Sequence, residues 1–198
     1  MDIEKAEKYI LQQLEERLDR TLFYHGVHHT LDVVNASAEI AAQEGLTDDE
    51  SLQSLQLLRT AALYHDSGFL TTYHGHEEAG CALARKVLPG FGYNAAQIEK
   101  ICGMIMATKI PQTPKNTLEM IICDADLDYL GRDDFEPVAA TLFEELKVRD
   151  MVEDIPAWDA VQVSFLEAHC YWTASQRKRR DAAKQRHLQH LKNTARAL

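Results

Sequence analysis

Leu57-Leu58-Arg59-Thr60-Ala61-Ala62-Leu63-Tyr64-His65-Asp66-Ser67-Gly68 is an apolar helical stretch that runs straight into a His-Asp pair. Ser67-Gly68 then stops the helix, so His65 and Asp66 sit at a helix end beside a loop. Two further residues of the same chemistry lie far off in sequence. His29 precedes the pair, and Asp126 follows it inside Ile121-Ile122-Cys123-Asp124-Ala125-Asp126-Leu127, where acids interrupt a run that otherwise reads as buried. Carboxylates in such a run are costly unless something pairs with them, and a metal ion is one such partner. Two imidazoles and two carboxylates form a mixed nitrogen and oxygen ligand set, suited to a divalent cation of borderline hardness.

Outward from that stretch nearly everything reads as helix. Ile3, Ala6, Ile10, Leu14 and Leu18 recur at three- and four-residue steps. Leu31, Val34, Ala38 and Ala41 share a face of a helix expected over residues 30–44, with Gly45 as its stop. Thr47 and Glu50 have the spacing of a capping box for the helix that carries the pair. Further helices are expected over 77–88, from Asn94/Gln97 to about 106, over 117–130 and over 135–148 with Asp134 as cap. Another starts with Pro156 in its first turn and reaches Trp172, and a basic tail helix follows, capped by Thr173 and Gln176. Residues 68–76 and 110–116 read as loops. No alternating run supports a strand, so the expected fold class is all-α in a single domain.

The chain's 198 residues suffice for one domain with a real core and are few for two. With 45% hydrophobic and 26% charged residues, the composition is that of an ordinary globular protein. No stretch approaches the ~20 apolar residues needed to span a bilayer. The acidic start Met1-Asp2-Ile3-Glu4-Lys5 does not read as a signal peptide. Cys81, Cys102, Cys123 and Cys170 are far apart in apolar surroundings with no C-x-x-C pair, so buried free thiols and a cytoplasmic location are expected. The net charge of −10 is unevenly spread: residues 177–196 carry eight Lys or Arg against the single acid Asp181. An acidic body argues against a nucleic-acid partner, and the basic helix is expected to dock on that body.

The order His29, His65-Asp66, Asp126, with Gly68 just after the pair, resembles the HD superfamily of metal-dependent phosphohydrolases. The resemblance covers about residues 20–135. It implies an HD-type helical bundle over residues 1–175, with residues 176–198 as a basic helix packed on or extending from it. It also implies metal ligation by His29, His65, Asp66 and Asp126. Within Asp124-Ala125-Asp126-Leu127-Asp128 the fourth ligand is ambiguous from the residues alone; family members carry Ala-Asp here, which points to Asp126. On a helix Asp124 and Asp128 share a face roughly opposite Asp126, so only one side meets the metal. Tyr24-His25-Gly26-Val27-His28-His29-Thr30-Leu31-Asp32-Val33 is similar to the Tyr-His-Asn-x-x-His-x-x-Asp-Val segment of class I cyclic-nucleotide phosphodiesterases, with Gly26 in place of Asn. That likeness implies His25 as the acid that protonates a leaving oxygen, a role an imidazole of near-neutral pKa can fill. His76 would serve a second cation or bind substrate, or else His76 or Glu77 would position the attacking water; the second extra histidine expected near 106–109 is absent. Lys109 and Arg132 are the candidate phosphate-binding cations, with Lys109 also a catalytic candidate beside His25 and Asp66. His169 and Tyr171 read as packing residues.

The expected activity is hydrolysis of a nucleotide or related phosphoester, mono- or diester, by water activated on Mn²⁺, Mg²⁺, Fe²⁺ or Zn²⁺. Two rivals stand beside it: a non-catalytic nucleotide-sensing module signalling through the basic tail, and an HD-type di-iron oxygenase, against which the missing ligand near Thr108 counts. Exposed amphipathic helix faces leave room for a homodimer.

Overall fold

The N-terminal helices grow from the apolar periodicities and end close to the expected breakers. In a computed structural model, which describes residues 1–47 and 51–195, α1 (Ile3–Arg17) starts at Asp2, whose carboxylate accepts from the Lys5 N–H at 3.1 Å. α2 (Val27–Gln43) begins three residues earlier than its apolar pattern suggests, with Gly26 as its N-cap in extended backbone. Its first turn therefore contains His28 and His29. α3 (Leu52–Tyr64) delivers His65 as its C-cap, and a 3₁₀ turn over Ser67–Leu70 follows. The Thr47/Glu50 capping box involves residue 50, which lies outside the described residues.

α4 (His76–Val87) and α5 (Ala95–Thr108) come next; Asn94 and Gln97 form both arms of a capping box at 2.9 Å. α6 (Thr117–Asp126) stops four residues short of the expected Leu130, and a separate 3₁₀ turn covers Asp128–Gly131. α7 (Phe135–Lys147) is preceded by Asp134, but that carboxylate pairs with Arg132 rather than capping the helix. α8 (Ile155–Ala168) has Pro156 in its first turn and Asp154 as its cap. It ends at Ala168, not Trp172, because the backbone N–H groups of Trp172 and Thr173 turn to meet the Asp124 carboxylate at 2.7 and 2.8 Å. α9 (Ala174–Ala195) is the basic tail helix. No strand occurs among the described residues.

Two apolar clusters organise these helices. The larger joins α1 to α6 through side chains such as Ile10, Leu14, Ile40, Leu58, Ile101 and Ile121. The smaller joins Tyr24, Leu130, Phe135, Phe143, Trp158 and Leu188, and so ties α7, α8 and α9 to the segment before α2. α9 is held against the body by Arg180, which grips Asp128 with two bonds of 2.7 and 2.8 Å, and by Gln176, which donates to the same carboxylate. Three of the cysteines, Cys81, Cys102 and Cys123, are buried free thiols as expected. Cys170 is not: it lies in the irregular segment after α8 and is exposed.

Gly68 sets how closely α4 approaches the His-Asp turn. A Cβ there would lie 1.8 Å from the His76 carbonyl oxygen, so only glycine lets the start of α4 close onto that turn.

Candidate metal centre

Three helix ends converge between the two clusters. His29 projects from the first turn of α2, His65 and Asp66 follow the end of α3, and Asp126 is the last residue of α6. The Nε2 of His29 lies 3.1 Å from Asp126 Oδ1 and 3.5 Å from Asp66 Oδ2. The Nε2 of His65 lies 3.2 Å from Asp66 Oδ2 and 3.5 Å from Asp126 Oδ1. The two Nε2 atoms face each other at 3.4 Å. His29, His65 and Asp66, all buried, form a group whose donor atoms can hold one metal ion.

The tautomer of His65 is set by its neighbour. Its Nδ1 sits 2.7 Å from the Ala62 carbonyl oxygen, which can only accept, so Nδ1 carries a proton and the neutral ring presents its Nε2 lone pair to the cluster. Asp66 Oδ2 is buried and has no hydrogen-bond partner, although two imidazole nitrogens stand close by. Lone pairs of nitrogen and oxygen thus point at a common volume, which is what a cation would resolve. Without one, a proton does the work. Burial pulls His65 down, yet Asp66 and Asp126 outweigh it and hold this imidazole well above its ordinary value. Burial likewise pushes Asp66 and Asp126 up, but the surrounding imidazoles leave both carboxyls well below the usual range. Metal entry would displace that proton.

Asp124 and Asp128 are turned the other way. Asp124 accepts from the Trp172 and Thr173 N–H groups and the Thr173 hydroxyl; burial nonetheless pushes its carboxyl up to about 6. Asp128 holds Arg180 and Gln176. Of the three acids, Asp126 alone meets the histidines.

His25 stands beside this cluster and is aimed by a residue that the sequence did not reveal. Glu145 of α7 is fully buried. Its Oε2 accepts from the backbone N–H of Tyr24 (2.9 Å) and of His25 (3.1 Å), and its Oε1 takes His25 Nδ1 at 2.5 Å and the Tyr73 hydroxyl at 3.0 Å. Burial pulls the His25 imidazole down, but the Glu145 bond and the nearby carboxylates carry it net above its ordinary value. Glu145 correspondingly lies below its ordinary value: burial raises it, and His25 with the two backbone donors more than offsets that. Phe69 packs against the rings of both His25 and His76, at centroid distances of 4.4 and 4.0 Å.

Residues 26–128 match the model of the HD domain. The chain belongs to the HD domain family. Over 98% of its length it also superposes on 89% of the chain in the crystal structure of a predicted HD superfamily hydrolase from an uncultured Thermotogales bacterium, with a TM-score of 0.59 and 23% sequence identity. No curated protein matches it. The matched span includes His29, His65, Asp66 and Asp126 but leaves out His25, Glu145 and all of α7 to α9.

The remaining candidates of this HD domain are differently placed. His76 approaches the cluster: its Nε2 is 3.5 Å from Asp66 Oδ1 and 3.6 Å from Glu77 Oε1. Lys109 does not, since its ammonium pairs with Glu78 on the exposed flank of α4 and α5. Arg132 is also spent elsewhere, bonded to Asp32 at 2.6 Å and to Asp134 at 2.8 and 2.7 Å. Tyr171 is buried with its hydroxyl on the Leu127 and Asp128 carbonyls, and His169 lies against Lys184; neither lines the metal centre. His25, Asp66, His76, Glu77 and Asp126 do line a common cavity of about 230 Å³, whose far walls come from α7 and α8. Among the described residues, no helix is long and apolar enough to cross a membrane.

Proposed function

We propose that this HD domain is a metal-dependent phosphohydrolase acting on a nucleotide or related phosphoester. One observation carries the reading: a buried carboxylate oxygen without a hydrogen-bond partner faces two imidazole nitrogens, one of them fixed as a lone-pair donor by the Ala62 carbonyl. His29, His65, Asp66 and Asp126 would hold the ion, and Mn²⁺, Mg²⁺, Fe²⁺ and Zn²⁺ all suit that donor set. Such an ion, when bound, lowers the pKa of water and polarises phosphoryl oxygens.

The chain's own groups supply the rest. Hydrolysis joins the water oxygen to phosphorus and breaks the ester P–O bond, whose electron pair leaves with the ester oxygen. His25, held at Nδ1 by Glu145, gives its other ring proton to that departing oxygen. Glu77, buried and lining the cavity beside His76, would orient the water and take its proton.

The two rivals have less support. A sensor signalling through its tail needs a tail free to move, whereas α9 is tied to Asp128 by Arg180 and Gln176. A di-iron oxygenase needs further histidines near residues 106–109, and Thr108 is the residue that lines the cavity there.

The test is metal content by mass spectrometry together with hydrolysis of a panel of linear and cyclic nucleotides and simpler phosphoesters. Asp66→Asn and Asp126→Asn are expected to lose both metal and activity, and Asp124→Asn to keep the metal. A metal-loaded wild type that hydrolyses nothing on the panel would refute the reading.

A further inference from the structure

We propose that the metal centre opens into a binding chamber for an uncharged, apolar group, so that the ester accepted here carries a single phosphoryl group on an aliphatic or aromatic remainder. The phosphoryl end of this inference rests on the phosphohydrolase reading, which it narrows from nucleotides to simpler phosphomonoesters; the chamber stands on its own geometry.

The cavity that begins at Asp66, Asp126, His25 and His76 does not continue into a polar cleft. Its walls beyond them are Leu142 and Leu146 of α7 and Trp158, Phe165 and Leu166 of α8. Ile110 and Val161 also line it while remaining 54% and 49% exposed, so the rim is apolar as well. Side chains of this kind gain by covering carbon and offer nothing to a charge.

Charge inside the chamber is confined to one end. Its ionisable lining residues, among those described, are carboxylates and imidazoles at the metal centre together with tyrosines, and no lysine or arginine lines it. One phosphoryl group can be neutralised there by the cation and by His25. A second or third phosphate would lie among leucines or beside Asp66, Glu77 and Asp126 with no cation to meet it. Three cations close to the lining in sequence are engaged outside it: Lys109 and Arg132 are bonded to acids, and the Lys147 ammonium lies over the Phe143 ring. A nucleobase fares little better, because its hydrogen-bonding edge needs several partners. The polar side-chain groups among the α7 and α8 wall residues are the Gln162 amide, one of whose N–H groups donates to Asp159 at 3.3 Å, and the Trp158 indole N–H, too few to read a base edge.

The chamber is tested by isothermal titration of the metal-loaded protein with n-alkyl phosphonates from ethyl to hexyl, phenylphosphonate, AMP and ATP. Affinity should rise about fourfold per methylene until the chamber is full, with phenylphosphonate binding more tightly than AMP or ATP. Leu142→Trp should abolish the dependence on length with metal content unchanged; Phe165→Ala, which enlarges the chamber, should move the optimum to longer chains. 1-Naphthol titrated into metal-free protein reads the chamber without the cation and should bind, more weakly in Leu142→Trp. Affinity independent of chain length, tighter binding of ATP than of phenylphosphonate, or no 1-naphthol binding by the wild type would each overturn the proposal. Length-dependent binding without hydrolysis of the matching alkyl phosphates would sustain the chamber while removing the phosphohydrolase reading.

Discussion

Replacing Glu145 by Gln isolates what one buried carboxylate does for His25. Four donors converge on Glu145: two backbone N–H groups on Oε2, and the His25 ring and Tyr73 hydroxyl on Oε1. A glutamine has the same shape but one acceptor oxygen. Facing the two backbone N–H groups with its NH₂ would leave donors against donors, so the amide oxygen takes the Oε2 place. The NH₂ then confronts His25 Nδ1 and Tyr73. Tyr73 can rotate its hydroxyl to accept; His25 must give up its Nδ1 proton and become the other neutral tautomer. The loss is therefore concentrated in one charge-assisted bond, about 1.5–3 kcal/mol. It should be read as a fall in the urea midpoint at unchanged slope. His25, burial now unopposed by Glu145, should also drop from above its ordinary pKa, which two-dimensional NMR of the ring nitrogens detects along with the tautomer. Hydrolysis, for which His25 is the proposed acid, should fall by about 10²–10⁴-fold, with metal content unchanged. A variant that keeps the Nδ1 proton, or loses less than about 0.5 kcal/mol, would refute this account of Glu145.

Arg180→Leu leaves the buried Asp128 carboxylate with Gln176 and, at 3.8 Å, the Arg132 guanidinium, so stability should fall by about 2 kcal/mol in denaturant unfolding; the double variant with Asp128→Leu should recover most of it. His169 gives a pH dependence of known sign. Burial and the neighbouring Lys184 ammonium pull it down to about 3, so the unfolded chain binds this proton first. The stability it contributes is complete above about pH 6.5 and is lost as pH falls, by about 2 kcal/mol at pH 5. In His169→Gln, unfolding free energies measured between pH 7 and 5 should lack that component.

The convergence of His29, His65, Asp66 and Asp126 was legible because these residues sit at helix ends or helix starts, where a residue's direction follows from the helix pattern. Asp124 and Asp128 both turn away from the histidines toward the start of α9, but the face rule accounts only for Asp124, because α6 ends at Asp126 and Asp128 is directed by the 3₁₀ turn that follows. Glu145 was not legible. Glu144-Glu145 near a helix end reads as a solvated charge pair, and the partner that explains its burial lies 120 residues away. Sequence proximity misled for Lys109 and Arg132: both come close to the metal centre along the chain, but Glu78, Asp32 and Asp134 capture them first. The end of α8 was misplaced for a similar reason, because the pull of Asp124 on residues 172 and 173 is a tertiary contact.

The reach of Glu145 across the molecule has a consequence for how little of the polypeptide suffices. A fragment cut at residue 128 would retain every nitrogen and oxygen of the proposed coordination sphere. It would nevertheless leave the imidazole of His25 unaimed and the floor of the cavity missing. On a ribosome His29, His65, Asp66 and Asp126 emerge first, and His25, the proposed proton donor, gains its Glu145 partner only once the third quarter of the chain has docked. Competence thus waits for the late-made helices.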